Sequence, residues 1–302
     1  MTGNPAASRK LLLIGGLVLI WGVSWPIYKV ALAYTPPVLF AGMRTLLGGV
    51  VLVVFALLIR DRLLLRANWR LYLLGALFNV AIFYGAQTVG LTDLPEGVFS
   101  VIVYIEPVLV GVGAWVWLGE GMSLSRFFGL LAGVAGVAAV SWGSLAPSSS
   151  VSATGVVLAL VTALSWTAGT LVVKGARETP DLLWLAAGQT FLGGVALTAG
   201  GLASERWSAI VWTPTYWVGL LWGGFFGIAL AWVLFFRLLA SGEATQAASF
   251  TYLVPAIAVT GGVVFLGEHL TWGLFAGVIL IAVGVGLVNR PQEPARGRSA
   301  TS

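Results

Sequence analysis

The sequence predicts an all-α integral membrane protein of ten transmembrane helices, built as two five-helix repeats of inverted topology. Three observations lead there: a scarcity of charge, the length and texture of the apolar runs, and a pattern that occurs twice. Only 9% of the 302 residues are charged and 59% are hydrophobic, whereas a soluble domain carries about 25% charged residues. Too few polar side chains are present to cover a water-facing surface. The apolar runs do not alternate polar and apolar residues, as the strands of a membrane barrel do, which leaves helices.

The duplication is clearest in the stretch 95–137. Its first copy reads Y-I-E-P at 104–107, L-G-E at 118–120, then Gly129 and Gly136. The second copy reads Y-L-V-P at 252–255, L-G-E at 266–268, then Gly277 and Gly284, each 148 residues later. A fixed offset across apolar sequence marks an internal repeat. Each copy places a proline inside a long apolar run and follows it with a short charged turn, so each predicts a broken helix and a hairpin partner. The repeat extends further. R-T-L-L-G-G-V-V-L at 44–52 matches Q-T-F-L-G-G-V-A-L at 189–197, and Trp21 and Lys29 match Trp166 and Lys174, all at an offset of 145. Trp69, Gly75 and Phe78 match Trp217, Gly223 and Phe226 at 148.

A bilayer core needs about 20 apolar residues per helix. Windows of that size give spans near 11–33, 37–59, 71–92, 95–118, 124–143, 153–174, 181–202, 214–239, 244–266 and 272–289. Arg9 and Lys10 precede the first run as in a signal peptide. That run is too long for a signal h-region and no A-x-A site closes it, so it is read as the first span. With a cytoplasmic N-terminus, 13 of the 16 Lys and Arg residues fall on the inner side and only Arg206 in an outer loop; Lys29 and Arg44 lie within spans. This bias predicts that both termini are cytoplasmic. Five spans per repeat is an odd number, so the second half inserts upside down, which places a substrate site near the midplane between the halves. The expected organisation is a first repeat over 1–147, a second over 148–290, and a disordered cytoplasmic tail at 291–302. The uncharged loop 144–154 is expected outside.

Several chemistries are excluded early. There is no cysteine and one histidine, His269, which argues against disulfides, thiolate metal sites and a histidine-based metal centre. An integral-membrane enzyme would need a cluster of His, Asp or Glu near an interface, and the acids are scattered. No cofactor, metal or nucleic acid is expected; the net charge of +5 is accounted for by topology. Nothing requires a second subunit, so a monomer is expected.

Glu106 is the sharpest single signal. It lies eleven residues into its span, about 16 Å deep at 1.5 Å per residue, where a carboxylate is costly and is a functional candidate by default. It would receive a substrate cation or carry a coupling proton, or else pair with Arg44 or Lys29 to hold helices together. Its repeat counterpart is Val254. Lys29 and Lys174 lie near opposite ends of equivalent spans, as snorkelling residues or as a gate at each mouth. Arg44 is read as a gating or structural ion-pair residue, with capture of a carboxylate as the alternative. Tyr104 and Tyr252 stand just before the two helix-breaking prolines, where an intrahelical hydrogen bond is lost. Asn79, Phe83 and Gln87 share one face of the third span at i, i+4 spacing, and Ser100 shares the face of Tyr104. Trp21 and Trp166 are a symmetric aromatic pair. The candidate substrate-binding set is therefore Asn79, Phe83, Ser100, Tyr104, Glu106, Trp166 and Tyr252. Glycines such as Gly48, Gly49, Gly193, Gly194, Gly111 and Gly113 allow helices to approach closely.

Taken together, the paired five-helix pattern, the mid-helix prolines, L-G-E and the glycine-rich helix after it resemble the EamA family of the drug/metabolite transporter superfamily, over about 280 residues. The aromatic richness and W-G-V-S-W-P at 21–26 look like its YddG-type branch. That resemblance implies export of aromatic and neutral amino acids from a bacterial cytoplasm across the inner membrane. The alternative is a multidrug or cationic-metabolite exporter with Glu106 as cation or proton site. Walls that are mostly apolar and aromatic, with few fixed charges, argue against sugar phosphates and nucleotides, which need several inward Arg or Lys.

Overall fold

A computed structural model describes residues 5–94, 96–142, 152–176, 181–266 and 272–290. Among them all regular structure is helical, and eight helical stretches are long and apolar enough to cross a membrane. The expected tail at 291–302, most of the loop at 144–154, and Glu268 and His269 lie outside the described residues.

The chain opens with α1 (Pro5–Leu32) and α2 (Pro37–Leu58). Pro37 occupies the first turn of α2, where its missing N–H costs nothing. The free amides of Val38 and Leu39 donate to the Glu205 carboxylate at 3.0 and 2.7 Å. A continuous rod follows: α3 (Leu65–Gly75), a π-helical segment (Ala76–Ile82) and α4 (Phe83–Asp93). It begins six residues before the expected start, because the apolar window misses the first turns, which carry Arg66, Asn68 and Arg70. The fourth stretch is broken as its proline predicts. α5 (Glu96–Val103) stops, Tyr104 and Ile105 form the joint, and α6 (Glu106–Gly113) restarts with Pro107 in its first turn. Pro107 has no N–H to donate back to Val103, so the ladder is interrupted there.

Gly119 then ends the short π-helical segment Ala114–Leu118 in the left-handed conformation, at φ 71°. That conformation favours glycine, which explains the central residue of the L-G-E motif. α7 (Leu124–Ser141), α8 (Ala153–Lys174) and α9 (Leu182–Ser204) are each capped at the N-terminus by a polar side chain: Ser123, Ser152 and Asp181. α10 (Pro214–Trp222), a second π-helical segment (Gly223–Leu230) and α11 (Ala231–Ala240) form another long rod. After it come α12 (Ala244–Ser249), a 3₁₀ turn (Phe250–Tyr252), α13 (Leu253–Leu266) and α14 (Trp272–Val288).

Two helix pairs dominate the packing: α2 along α9, and α7 along α14. Both are glycine contacts. A Cβ on Gly49 would stand 2.5 Å from the Phe191 backbone, and one on Gly194 would stand 2.5 Å from the amide nitrogen of Leu46. At the other crossing Gly129 faces the carbonyl of Gly284, and Gly136 faces that of Gly277. Lipid is as apolar as leucine, so helices in a bilayer associate through such close packing. The outward faces are apolar: Leu58, Val116, Trp117 and Ile279 are all exposed, as suits contact with acyl chains.

Candidate functional site

A cavity of about 350 Å³ lies between α1, α2, α4, α5, α8 and α11. Its floor is aromatic. Trp21 meets Trp166 edge-on at 5.6 Å between ring centroids, and Trp166 lies 5.3 Å from Phe83. Trp21 also lies 6.2 Å from Trp232, and its indole N–H donates to the carbonyl of Gly227 at 3.3 Å. The Trp232 indole donates to the Tyr84 hydroxyl at 3.1 Å. From this floor the cavity runs toward the ends of α1 and α4, where Lys29, Leu32, Leu91, Thr92 and Leu94 line it. Ser24, Tyr28, Arg44, Gln87 and Tyr104 line its sides.

Arg44 is buried, with 2% of its surface exposed. Its guanidinium lies 4.3 Å from the Tyr28 ring centroid and 4.6 Å from that of Tyr84. Its Nε has no hydrogen-bond partner. The expected pairing of Arg44 with Glu106 is not made: both Glu106 oxygens are buried without a partner, on α6, which packs against α8 and α12 rather than α2.

The far end is closed by polar contacts. Glu120 of the L-G-E turn accepts from the backbone amides of Ala244 and Thr245 at 2.5 and 3.2 Å and from the Thr245 hydroxyl at 2.7 Å. It thus caps α12 from a distant part of the chain. Arg126 is ion-paired with Glu243 and donates to the carbonyl of Gly121 at 2.6 Å. The Lys174 ammonium donates to the carbonyls of Leu239, at 3.0 Å, and Gly242 at the end of α11, where the helix dipole favours a cation.

Of the residues singled out from sequence, Phe83, Tyr104, Trp166, Lys29 and Arg44 border the cavity. Asn79, Ser100, Glu106 and Tyr252 do not. Asn79 is fully buried and its amide donates to Gln189 Oε1 at 3.0 Å. Ser100 is 3.3 Å from the Ser141 hydroxyl. Tyr252 packs on Gly133 and donates to the carbonyl of Leu130 at 3.1 Å. The Asn79–Gln189 pair joins two helices inside the bundle. Asn79→Ala should therefore cost about 1–3 kcal/mol by leaving a buried amide unpaired, read as a lower unfolding midpoint in detergent.

Sequence reasoning did not single out Tyr28, Tyr84 and Trp232. A signal for two of them was present: Tyr84 and Trp232 are separated by the repeat offset of 148. Both pairs of repeat-related aromatics, Trp21 with Trp166 and Tyr84 with Trp232, meet at the cavity floor. Both π-helical segments directly precede this floor. Such segments are frequent at functional sites, and they leave no mark in composition.

A lipid-facing helical bundle around a central aromatic cavity, sealed at one end and open toward the other, is the form of a membrane transporter. The comparisons with known proteins agree. The chain belongs to the EamA-like transporter family, which matches residues 8–142 and 153–290. It is 46% identical over 282 residues to the uncharacterized transporter YvbV of Bacillus subtilis (strain 168), covering 93% of this chain and 92% of that protein. It is 28% identical over 299 residues to the uncharacterized inner membrane transporter YedA of Escherichia coli (strain K12), covering 95% of each. A crystal structure with a TM-score of 0.79 and 18% identity covers 93% of this chain and 96% of its own, and shares its fold.

Proposed function

We propose that this transporter exports small amphipathic metabolites, aromatic and neutral amino acids above all, across a bacterial inner membrane by alternating access. In this reading ten helices form two inverted repeats, 1–147 and 148–290, with both termini cytoplasmic, and a single chain suffices. The observation that carries it is the cavity itself: aromatic walls, few charges, one end sealed by Glu120, Arg126 and Lys174 and the other lined by Lys29 and Thr92. The paired crossings of α2 with α9 and α7 with α14 support the repeat arrangement, since each contact recurs between the repeat-related positions: Gly49 against Phe191 as Gly194 against Leu46, and Gly129 against Gly284 as Gly277 against Gly136. With the N-terminus inside, the conformation described is open outward.

The competing reading, a cation exporter anchored on Glu106, has against it that Arg44 and Lys29 border the cavity and Glu106 does not. Glu106 retains one role, as a proton site, because its two oxygens are buried and unpartnered. The test is uptake of labelled phenylalanine, threonine and glutamate into proteoliposomes, with and without an imposed pH gradient. Saturable uptake of phenylalanine and threonine is expected, with glutamate excluded. Uptake that follows the gradient and vanishes in Glu106→Gln would assign the proton to that residue; uptake indifferent to both would leave facilitated diffusion. No uptake of any of the three would end the amino-acid reading.

A further inference from the structure

We infer that Arg44 is the carboxylate-reading residue of the cavity, so that the transported molecules are small amphipathic monocarboxylates in which the carboxylate is required and an ammonium group is not. The inference rests on the reading of the cavity as the site for small amphipathic molecules, and it narrows what that site selects.

The two halves of the sequence supply an internal control. Arg44 and Gln189 are repeat-related at an offset of 145, and Asn79 and Gly227 at 148. The packing respects this relation. A Cβ on Gly75 would meet Gln189 Oε1 at 2.7 Å, and a Cβ on its counterpart Gly223 would meet Arg44 Cδ at 3.1 Å. In one half, Gln189 Oε1 accepts from the Asn79 amide at 3.0 Å, while Gln189 Nε2 and Asn79 Oδ1 are buried without a partner. In the other, the residue at the Asn79 position is glycine and offers Arg44 no side chain. The Tyr28 hydroxyl lies against that glycine instead, and it too is buried without a partner. In the first half a side-chain hydrogen bond joins the two positions, and in the second Arg44 lines the cavity with no side chain opposite it at that position.

Arg44 is a cation, always protonated, with five N–H donors in a fixed fork. The Arg44 Cζ lies over the flanking Tyr28 and Tyr84 rings, 4.3 and 4.6 Å from their centroids. They offset part of the cost of burying the charge but accept none of its in-plane hydrogen bonds. Among the described residues no carboxylate forms an ion pair with it. An edge-on carboxylate from the cavity matches the fork bidentately. The apolar body of such a molecule then lies against Trp21, Phe83 and Trp166, whose indole N–H is also buried and unpartnered. Among the described residues no Asp or Glu lines the cavity, so none of them recognises an ammonium ion by charge.

The experiment uses the full chain in lipid nanodiscs and follows binding by titration calorimetry with 3-phenylpropionate, phenylalanine, phenylalaninamide and phenethylamine. Saturable binding of the two acids is expected, with the amide and the amine weaker by at least tenfold. Arg44→Gln should weaken 3-phenylpropionate at least tenfold, and Arg44→Lys should recover part of the loss. The inference is overturned if phenethylamine binds as well as 3-phenylpropionate, if neither acid binds, or if Arg44→Gln binds the acids as the parent does. Should Arg44→Gln fail to fold, the ligand series on the unaltered chain decides alone. Binding of 3-phenylpropionate without amino-acid flux would retire the amino-acid substrates and keep the role of Arg44. Amino-acid flux with Arg44-independent binding would do the reverse.

Discussion

Gly284→Leu is expected to abolish accumulation of folded protein, while Gly286→Leu, two residues further along the same helix, accumulates as well as the parent. The two glycines share a helix and a sequence context but not an environment. A Cβ on Gly284 would lie 2.6 Å from the carbonyl oxygen of Gly129 and 2.7 Å from the amide nitrogen of Gly133, whereas around Gly286 nothing stands within 4 Å. The obstructing atoms are backbone, so no rotamer change relieves the clash and α14 must move away from α7. Gly136 and Gly277 would be pulled apart with it, since they pack so closely that a Cβ on either would meet the other's carbonyl oxygen at 2.6–2.8 Å. Overpacking in ordinary cores costs about 1–3 kcal/mol. Here the cost is higher, because the whole crossing separates and no hydrophobic force in lipid draws the helices back. Size-exclusion profiles in mild detergent separate the outcomes: a monodisperse peak for Gly284→Leu would show that the crossing tolerates separation. Gly286 is exposed, and a leucine there meets acyl chains.

That contrast marks how far the sequence could be read. The break at Pro107 was legible because proline acts locally, on its own amide and on the turn before it. The apolar spans were legible because bilayer thickness sets their length. The repeat offset identified Trp21 and Trp166 as a pair, and they meet at the cavity floor. Depth along a helix is also legible in the sequence, and it marks Glu106 and Arg44. What depth does not give is the direction in which a side chain points. Arg44 turns toward α1 and α4, where Tyr28 and Tyr84 flank it, while Glu106 starts a helix packed on α8 and α12. Two charges at similar depth therefore never meet. Asn79 lies away from the cavity for a related reason. Its i, i+4 spacing with Phe83 assumed an unbroken α-helix, but the π-helical segment Ala76–Ile82 changes the turn between them. Asn79 thus faces Gln189 while Phe83 faces the cavity.

Glu120→Ala is expected to release the sealed end of the cavity. The carboxylate of Glu120 accepts three hydrogen bonds from the start of α12, two from backbone amides and one from the Thr245 hydroxyl. Those amides are the unsatisfied donors of a helix N-terminus, and a negative charge there is favoured by the helix dipole as well. Glu120 comes from the turn after Gly119, so its bonds join the first half of the chain to the second. Charged hydrogen bonds contribute about 1.5–3 kcal/mol each when measured singly. Partial exposure of Glu120 and the neighbouring Arg126–Glu243 pair reduce the net loss to about 2–3 kcal/mol. That is a factor of roughly 30–150 in a two-state equilibrium, enough to shift the population toward the state open at this end. The chain has no cysteine, so a single Ala248→Cys, at a position now fully buried on α12, reports opening without background. Its labelling by a membrane-impermeant maleimide should rise at least fivefold when Glu120→Ala is added, and rise less with Glu120→Gln, which keeps an acceptor oxygen. Equal labelling in all three backgrounds would mean that α12 is held by its apolar packing, and that the L-G-E turn at Glu120 serves folding rather than the gate.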